Sequence, residues 1–458
     1  MKNHKFEQFK KSVKGKNITV VGIGISNLPL INLLCENGAN VTACDRKSEE
    51  ALGDSALNLK NKGVKLSLGD EYLKNLSGDI IFKTPGMRFD APELVRAREN
   101  GSTVTSEMEV FFDVCPAKII AVTGSDGKTT TTTLISKILT ESGYKCHLGG
   151  NIGKPLLSES DNIDEKDIVV LELSSFQLHT MKKSADVSVV TNISPNHLDM
   201  HKSYEEYIDA KRNIYIHQDK DGILVVNKEN EKSYECAKSA KGTVRTFGYD
   251  KNCSVYTTGG EIFAFGEKIM DTKDIKIPGE HNVQNYMAAI AATYPLAKKE
   301  ACLTVAKTFG GVEHRIEFVR ELDGVSYYNS SIDSSPNRTI NTLKVFNQKV
   351  ILIAGGKDKG ISYDDLGASL IDKVKLLILV GKTADVIKKS AVKEAKKRNV
   401  SLDLPIVILD NYKNAVSFSK ENAVDGDIVI MSNASTSFDM FKNFEERGNL
   451  FKKLVKEL

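Results

Sequence analysis

Residues 121–133 read AVTGSDGKTTTTT, an apolar run, a glycine loop and a threonine-rich stretch. No other feature restricts the fold so much. The order predicts a buried strand that delivers its loop to the N-terminus of a helix. Backbone N–H groups of such a loop converge on phosphate oxygens, and the helix end adds partial positive charge. Gly124, Ser125, Asp126 and Gly127 form the loop, with Lys128, Thr129 and Thr130 opening the helix. Lys128 is placed to reach the β- and γ-phosphates and the Thr129 hydroxyl to ligate Mg²⁺. Val122 stands where the usual GxxxxGK[ST] pattern begins with glycine, so this is the shorter TGxxGKT variety. ATP or GTP with Mg²⁺ is the expected ligand. The loop does not say what receives the phosphoryl group.

Around this loop, short β-branched runs alternate with helical patterns, which predicts an α/β chain built on parallel sheets. Three blocks are visible. The first carries NITVVGIG (17–24) and NVTACD (40–45) around a helical stretch, then GDIIFKTPG, and ends near Glu107. The second holds the phosphate loop, strands in DIVVLELSS, ADVSVVTNIS and DGILVVN, and a helix at HNVQNYMAAIAA. The third carries GVSYYN, KVILIAGG, VKLLILVG, LPIVIL and GDIVIMS and closes on an amphipathic helix.

Composition excludes several classes. Sixty-three basic and 60 acidic side chains give a net charge of +3, against a dedicated nucleic-acid binder. The mean hydropathy is −0.25, and no apolar stretch is long enough to span a bilayer. The basic N-terminus lacks the apolar segment and cleavage site of a signal peptide, so a cytoplasmic protein is expected. Seven scattered cysteines without a CxxC pair suggest neither a disulfide framework nor a zinc site.

Other polar groups gather at predicted strand ends, where open α/β sheets bind ligands. Glu172 ends the strand of LELSSFQL, placed to hold Mg²⁺ through oxygen. His197 and Asp199 follow another strand in NISPNHLDMH. Lys211, in YEEYIDAKRNIY, reads on its own as a solvated helix lysine. In the first block, GIGISN (22–27) is a dinucleotide fingerprint with Asn27 in place of the third glycine. Asp45 stands where a ribose-binding acid would fall. A hydride-transfer enzyme, a plain βαβ turn and a site for the diphosphate of a nucleotide-linked substrate all fit that block.

With these residues in view, the chain resembles the Mur ligases, ATP-dependent enzymes that build the peptide of bacterial cell-wall precursors. The resemblance rests on TGSDGKTTTT (123–132), GGNIG (149–153), LELSSFQL (171–178), NHLDMH (196–201), YEEYIDAKRNIY (204–215), GEHNVQN (279–285), GVEHRIE (311–317) and SFDMFKNFEERG (437–448). It implies a Rossmann-like UDP-binding domain over 1–106, a central P-loop ATPase domain over 107–311 and a C-terminal Rossmann-like domain over 312–458. It implies UDP-N-acetylmuramoyl-L-alanine and D-glutamate as substrates, joined through an acyl phosphate in cytoplasmic peptidoglycan synthesis, with links to cell shape and division. Ile25, Ser26, Asp45 and Arg46 would contact the UDP end, and Asn151, Ser174, Gln177 and His197 the muramoyl-alanine path. Thr129 and Glu172 would hold one Mg²⁺, and His197 with a carbamylated Lys211 a second. Lys128, Glu172, His197 and Lys211 would form the catalytic set. Asn282, Asn285 and Arg315 would contact ATP; Lys359, Ser437 and Phe444 would take D-glutamate. A monomer without nucleic-acid or membrane partners is expected, with a hinge near Gly310–Gly311.

One segment departs from the family. Its NDSKATN-like stretch reads NSSIDSS over 329–335, so the usual aspartate and lysine are missing, and Asp333 stands at a shifted position. Asn433 replaces a frequent proline. Folylpolyglutamate synthase shares the last two domains but not the first. A nucleotide-binding regulator without ligase activity also fits the altered segment.

Overall fold

The computed structural model describes residues 3–24, 27–195, 201–358 and 360–458. They form two compact units. One comprises residues 1–272 and 283–305, the other 273–282 and 306–458. The expected α/β class holds, with three sheets among the described residues.

The larger unit carries two sheets. The first has five parallel strands in the order Lys65–Leu68, Asn40–Asp45, Asn17–Val21, Ile80–Phe82, Thr103–Thr105. Asn17–Val21 is central and buried after its first residue, as a strand covered on both faces must be. The second sheet has nine strands. Its parallel part runs Thr243–Gly248, Ile223–Asn227, Val187–Val190, Lys118–Thr123, Ile168–Glu172, Cys146–Gly150. Beyond Thr243–Gly248, Val255–Thr258 pairs parallel to it, and Glu261–Ala264 and Glu267–Asp271 continue antiparallel. Lys118–Thr123 lies between two parallel neighbours, so its C-terminal end opens at the middle of the sheet. The helix Lys128–Glu141 follows it, burying Leu134, Ile135, Ile138 and Leu139 on one face. The sequence reading located Lys118–Thr123, Ile168–Glu172, Val187–Val190 and Ile223–Asn227 but not Cys146–Gly150, Thr243–Gly248 or the ribbon beyond it.

The smaller unit has a six-stranded sheet in the order Glu317–Leu322, Val325–Ser330, Ile428–Ser432, Val350–Ala354, Val374–Val380, Ile406–Leu409. The first pairing is antiparallel and the others parallel. All five strands expected in this block are present. Leu352, Leu377, Leu379 and Ile430 anchor a core on one face of it, and Ile351, Ile353, Ile378 and Val429 one on the other.

The seven cysteines are unpaired, five buried and two half-buried. Among the described residues no helix is long and apolar enough to cross a membrane.

Candidate active site

The phosphate loop is rigid for reasons legible atom by atom. Gly124 has φ +151°, and a Cβ there would lie 2.0 Å from the Thr191 hydroxyl. Gly127 takes φ +77° at the start of the helix. The segment after Val187–Val190 holds the loop. Thr191 Oγ1 donates to the Asp126 carbonyl at 2.6 Å, the Asp126 N–H donates to Asn192 Oδ1 at 2.9 Å, and the Ser194 N–H donates to Ser125 Oγ at 2.9 Å. Lys128 folds back, its Nζ donating to the Ser125 carbonyl at 2.8 Å. Thr129 and Thr130 lie on the first turn, half-buried. Asn285, within the same unit, accepts from Thr131 Oγ1 at 3.2 Å.

Two buried groups converge on this loop. Glu172 ends its strand with 1% exposure. Its Oε1 accepts from Asn151 Nδ2 at 2.8 Å, while its buried Oε2 has no hydrogen-bond partner. A solitary carboxylate oxygen out of water is costly unless a cation or donor reaches it. Lys211 sits at 2% exposure on the helix Tyr204–Arg212. Its Nζ donates to the Gly124 carbonyl at 2.8 Å and lies 4.6 Å over the Tyr207 ring. Burial first, then the charge of Lys128, pulls the amine well below its ordinary pKa of 10.5. The lysine that sequence alone reads as solvated is thus a buried amine leaning toward its neutral form. Glu172 and Lys211 fit a divalent cation site: the first offers an unused anionic oxygen, the second an amine that can take up CO₂ to become an oxygen ligand.

Ser174 and Gln177 form a reciprocal cap on the short helix Ser175–Leu178. Ser174 N–H donates to Gln177 Oε1 at 3.0 Å and Gln177 N–H to Ser174 Oγ at 3.3 Å. This fixes the turn directly after Glu172.

In the first sheet, Asp45 Oδ2 accepts from the Ile23 N–H at 2.6 Å and its Oδ1 from the Lys47 N–H at 2.9 Å. The acid therefore closes the glycine turn. Asn27, in the third-glycine position, donates to the Val21 carbonyl at 2.9 Å and supports the turn from inside. Arg46 is open to solvent.

In the smaller unit, Asn282 donates to the Pro278 carbonyl at 2.6 Å. Arg315 is exposed between His314 and Ile316, both with positive φ. Ser437 is buried at 2% exposure, and Phe444 begins the last helix with its ring 5.9 Å from His314. Ile25, Ser26, His197, Asp199 and Lys359 lie outside the described residues.

The altered 329–335 segment is satisfied internally. Asp333 is engaged within the fold: its Oδ2 accepts from Thr342 Oγ1 at 2.7 Å and Ser432 Oγ at 2.8 Å, inside a buried hydroxyl network. Ser331 is gripped by Arg447, whose Nε donates to Ser331 Oγ at 3.0 Å and Nη2 to its carbonyl at 2.8 Å. Asn433 donates to the Gly355 carbonyl at 3.1 Å and to Tyr412 Oη at 2.7 Å, while its buried Oδ1 has no hydrogen-bond partner.

Sequence reasoning did not single out Tyr207, whose hydroxyl meets Ser125 Oγ at 2.9 Å. The signal was its spacing four residues before Lys211, which puts both on one helix face.

A phosphate loop beneath a buried acid and a buried amine is the site of a nucleotide-dependent enzyme, and the matching families say which. The Mur ligase MurD-like N-terminal domain matches residues 16–106, the Mur ligase middle domain residues 122–293 and the Mur ligase glutamate ligase domain residues 314–434. The chain belongs to the Mur ligase family. It is 54% identical to a UDP-N-acetylmuramoylalanine--D-glutamate ligase of Ruminiclostridium cellulolyticum, covering 100% of both chains. It is 52% identical to that of Acetivibrio thermocellus, over 100% of this chain and 99% of the relative. Among solved structures, UDP-N-acetylmuramate-alanine ligase MurC of Thermotoga maritima aligns with a TM-score of 0.57 at 20% identity, over 96% of this chain and 99% of the other. MurF of Acinetobacter baumannii also gives 0.57, at 16% identity, over 98% and 92%. These two share the fold.

Proposed function

We propose that this chain joins D-glutamate to UDP-N-acetylmuramoyl-L-alanine with cleavage of ATP to ADP and phosphate, in cytoplasmic peptidoglycan precursor synthesis. The observation that carries the chemistry is the rigid phosphate loop with the unpaired Glu172 oxygen and the buried Lys211 amine beside it. The choice of substrates is supported by relatives of that name at 50–54% identity over 99–100% of the chain. We also propose the domain limits 1–106, 107–311 and 312–458.

A carboxylate repels nucleophiles and has no leaving group. Its oxygen attacks the γ-phosphorus of ATP, ADP departs, and the acyl phosphate formed is open to the amine. Attack by D-glutamate gives a tetrahedral adduct that expels phosphate and leaves the amide. Loop N–H groups and Lys128, released from the Ser125 carbonyl, would hold the transferring phosphoryl group. Thr129, Glu172, His197 and Lys211, the last as its carbamate, would hold two Mg²⁺ ions. When bound, the metal neutralises charge on the phosphates and carboxylate. Asp45 would keep the glycine turn shaped for the UDP end, Asn151 would orient Glu172, and Ser437 and Phe444 would meet D-glutamate.

The test is phosphate release with Mg²⁺, ATP and UDP-N-acetylmuramoyl-L-alanine while the amino acid is varied. Release with D-glutamate alone is expected. Release with another amino acid would move the chain to a different branch. None at all, from protein that still binds ATP, would revive a regulatory role.

A further inference from the structure

The larger unit contains a charge network that the proposed chemistry does not use. Arg88 lies in the loop just after Thr84-Pro85-Gly86, which follows the strand Ile80–Phe82 of the first sheet. Its guanidinium reaches two carboxylates. Nη2 and Nη1 donate to Glu206 Oε1 and Oε2 at 2.8 and 3.1 Å, and Nε and Nη2 donate to Asp90 Oδ1 and Oδ2 at 2.8 and 3.1 Å. Lys202 closes the set, with Nζ 2.6 Å from Asp90 Oδ2. These side chains are not a loose surface pair: Arg88 and Glu206 are 25% and 21% exposed, and their contact is a two-pronged fork.

Glu206 belongs to the first turn of the helix that carries Lys211. It also accepts the Lys202 N–H at 2.6 Å, so the same carboxylate organises the start of that helix. Its neighbour Tyr207 bonds to Ser125 of the phosphate loop, and Lys211 follows one turn later. A short chain of contacts thus runs from the loop after the first sheet's strand, through Glu206 and its helix, to the phosphate loop.

We propose that Arg88 is a positioning residue: by clamping Glu206 it holds the Thr84-Pro85-Gly86 turn and the Lys211 helix in one frame, so that the UDP-linked substrate presents its carboxylate to the phosphate loop in register. The inference rests on the ligase reading for its substrate. Small misplacements of a reacting group carry large rate costs, which is why a clamp that touches no reacting atom can matter. The phosphate loop is also pinned by Thr191, Asn192 and Ser194, so nucleotide binding is expected to depend little on Arg88.

The experiment compares wild type, R88M, R88K, E206Q and the double variant R88M/E206Q. R88M is expected to lower kcat/KM for the UDP-linked substrate about tenfold or more, with a raised KM for it, while ATP affinity changes by less than about threefold. R88K keeps the charge without the fork and should fall between. The double variant should be no worse than about threefold below the poorer single one, because both changes break one contact. Hydrogen exchange over residues 203–212 should be faster in R88M. If R88M keeps kcat/KM within about threefold of wild type with unchanged exchange, or if ATP affinity falls in parallel with kcat/KM, or if the single effects simply multiply, the proposal is overturned. Should R88M fail to fold, R88K and E206Q decide it by the same measurements. Wild-type turnover separates the two readings: its absence would sink the ligase, while the exchange comparison would still judge the clamp.

Discussion

Lys211 shows how far a single residue can differ from its local sequence. It is flanked by Glu205, Glu206 and Arg212, the pattern of a solvated helix, yet its amine is buried against the Gly124 carbonyl. A neutral amine can react with CO₂, and burial lowers the pKa of this one well below 10.5, which eases loss of its proton. Lys211→Ala is therefore expected to lose at least about 100-fold in kcat and to regain part of it with short-chain carboxylic acids, which restore an anionic oxygen. A variant with normal turnover would refute the carbamate role. Glu172 was readable from sequence as a strand-end acid beside the loop. Lys211 was not, because its burial comes from packing of the helix onto residues about 90 positions earlier, and only family resemblance pointed to it. Asp333 was ambiguous for the same reason: whether it faced the site or the core depended on Thr342 and Ser432.

At the scale of elements, the sequence announced the strand, loop and helix of the phosphate site because composition and order agree there. It concealed Cys146–Gly150, whose CHLGG lacks the β-branched run of a strand. The glycines are there for space. Gly150 has φ +94°, and a Cβ would stand 2.1 Å from the Glu172 carbonyl oxygen. Gly150→Ala should cost about 3 kcal/mol through strain and displaced backbone, read as a lower denaturation midpoint. Because the displaced residue is Glu172, Mg²⁺ dependence should also shift to higher concentration; an unaltered Mg²⁺ profile would detach this strand from the site. The antiparallel ribbon of 255–271 escaped notice because EIFA and EKIMD hold only two or three consecutive apolar residues, too few to mark a strand.

At the scale of the molecule, pH enters through Glu107, a half-buried residue whose carboxyl receives the Leu157 N–H at 2.8 Å and is pushed up by desolvation to about 7. An unfolded glutamate loses its proton near 4.5. Its contribution to stability is thus full below about pH 4.5 and fades as pH rises through about 7. Glu107→Gln should flatten the fall in stability between pH 5 and 8, measured by denaturant unfolding; an unchanged slope would show that the carboxyl is ionised in the fold. The phosphate loop belongs to the larger unit and Ser437 and Phe444, proposed above to meet D-glutamate, to the smaller, while the proposed reaction needs amine and acyl phosphate together. Small-angle scattering should therefore report a smaller radius of gyration with ATP and both other substrates than without them. Identical curves would count against closure. The expected hinge at Gly310–Gly311 lies inside the smaller unit; the chain passes between units at 272–273, 282–283 and 305–306.

The unpaired cysteines carry a practical consequence. Burial raises the thiols of Cys44 and Cys115 to about 11 and that of Cys302 to about 12, so almost no thiolate is present at neutral pH. Cys35 and Cys146 are half-buried and shifted the same way. The native chain is thus a quiet background for maleimide chemistry. A cysteine placed at an open position such as Val424, 63% exposed, would take up a fluorophore or spin label well ahead of the others. The sequence also holds no tryptophan, so one added beside such a label would report distance by energy transfer without competing emission from native indoles.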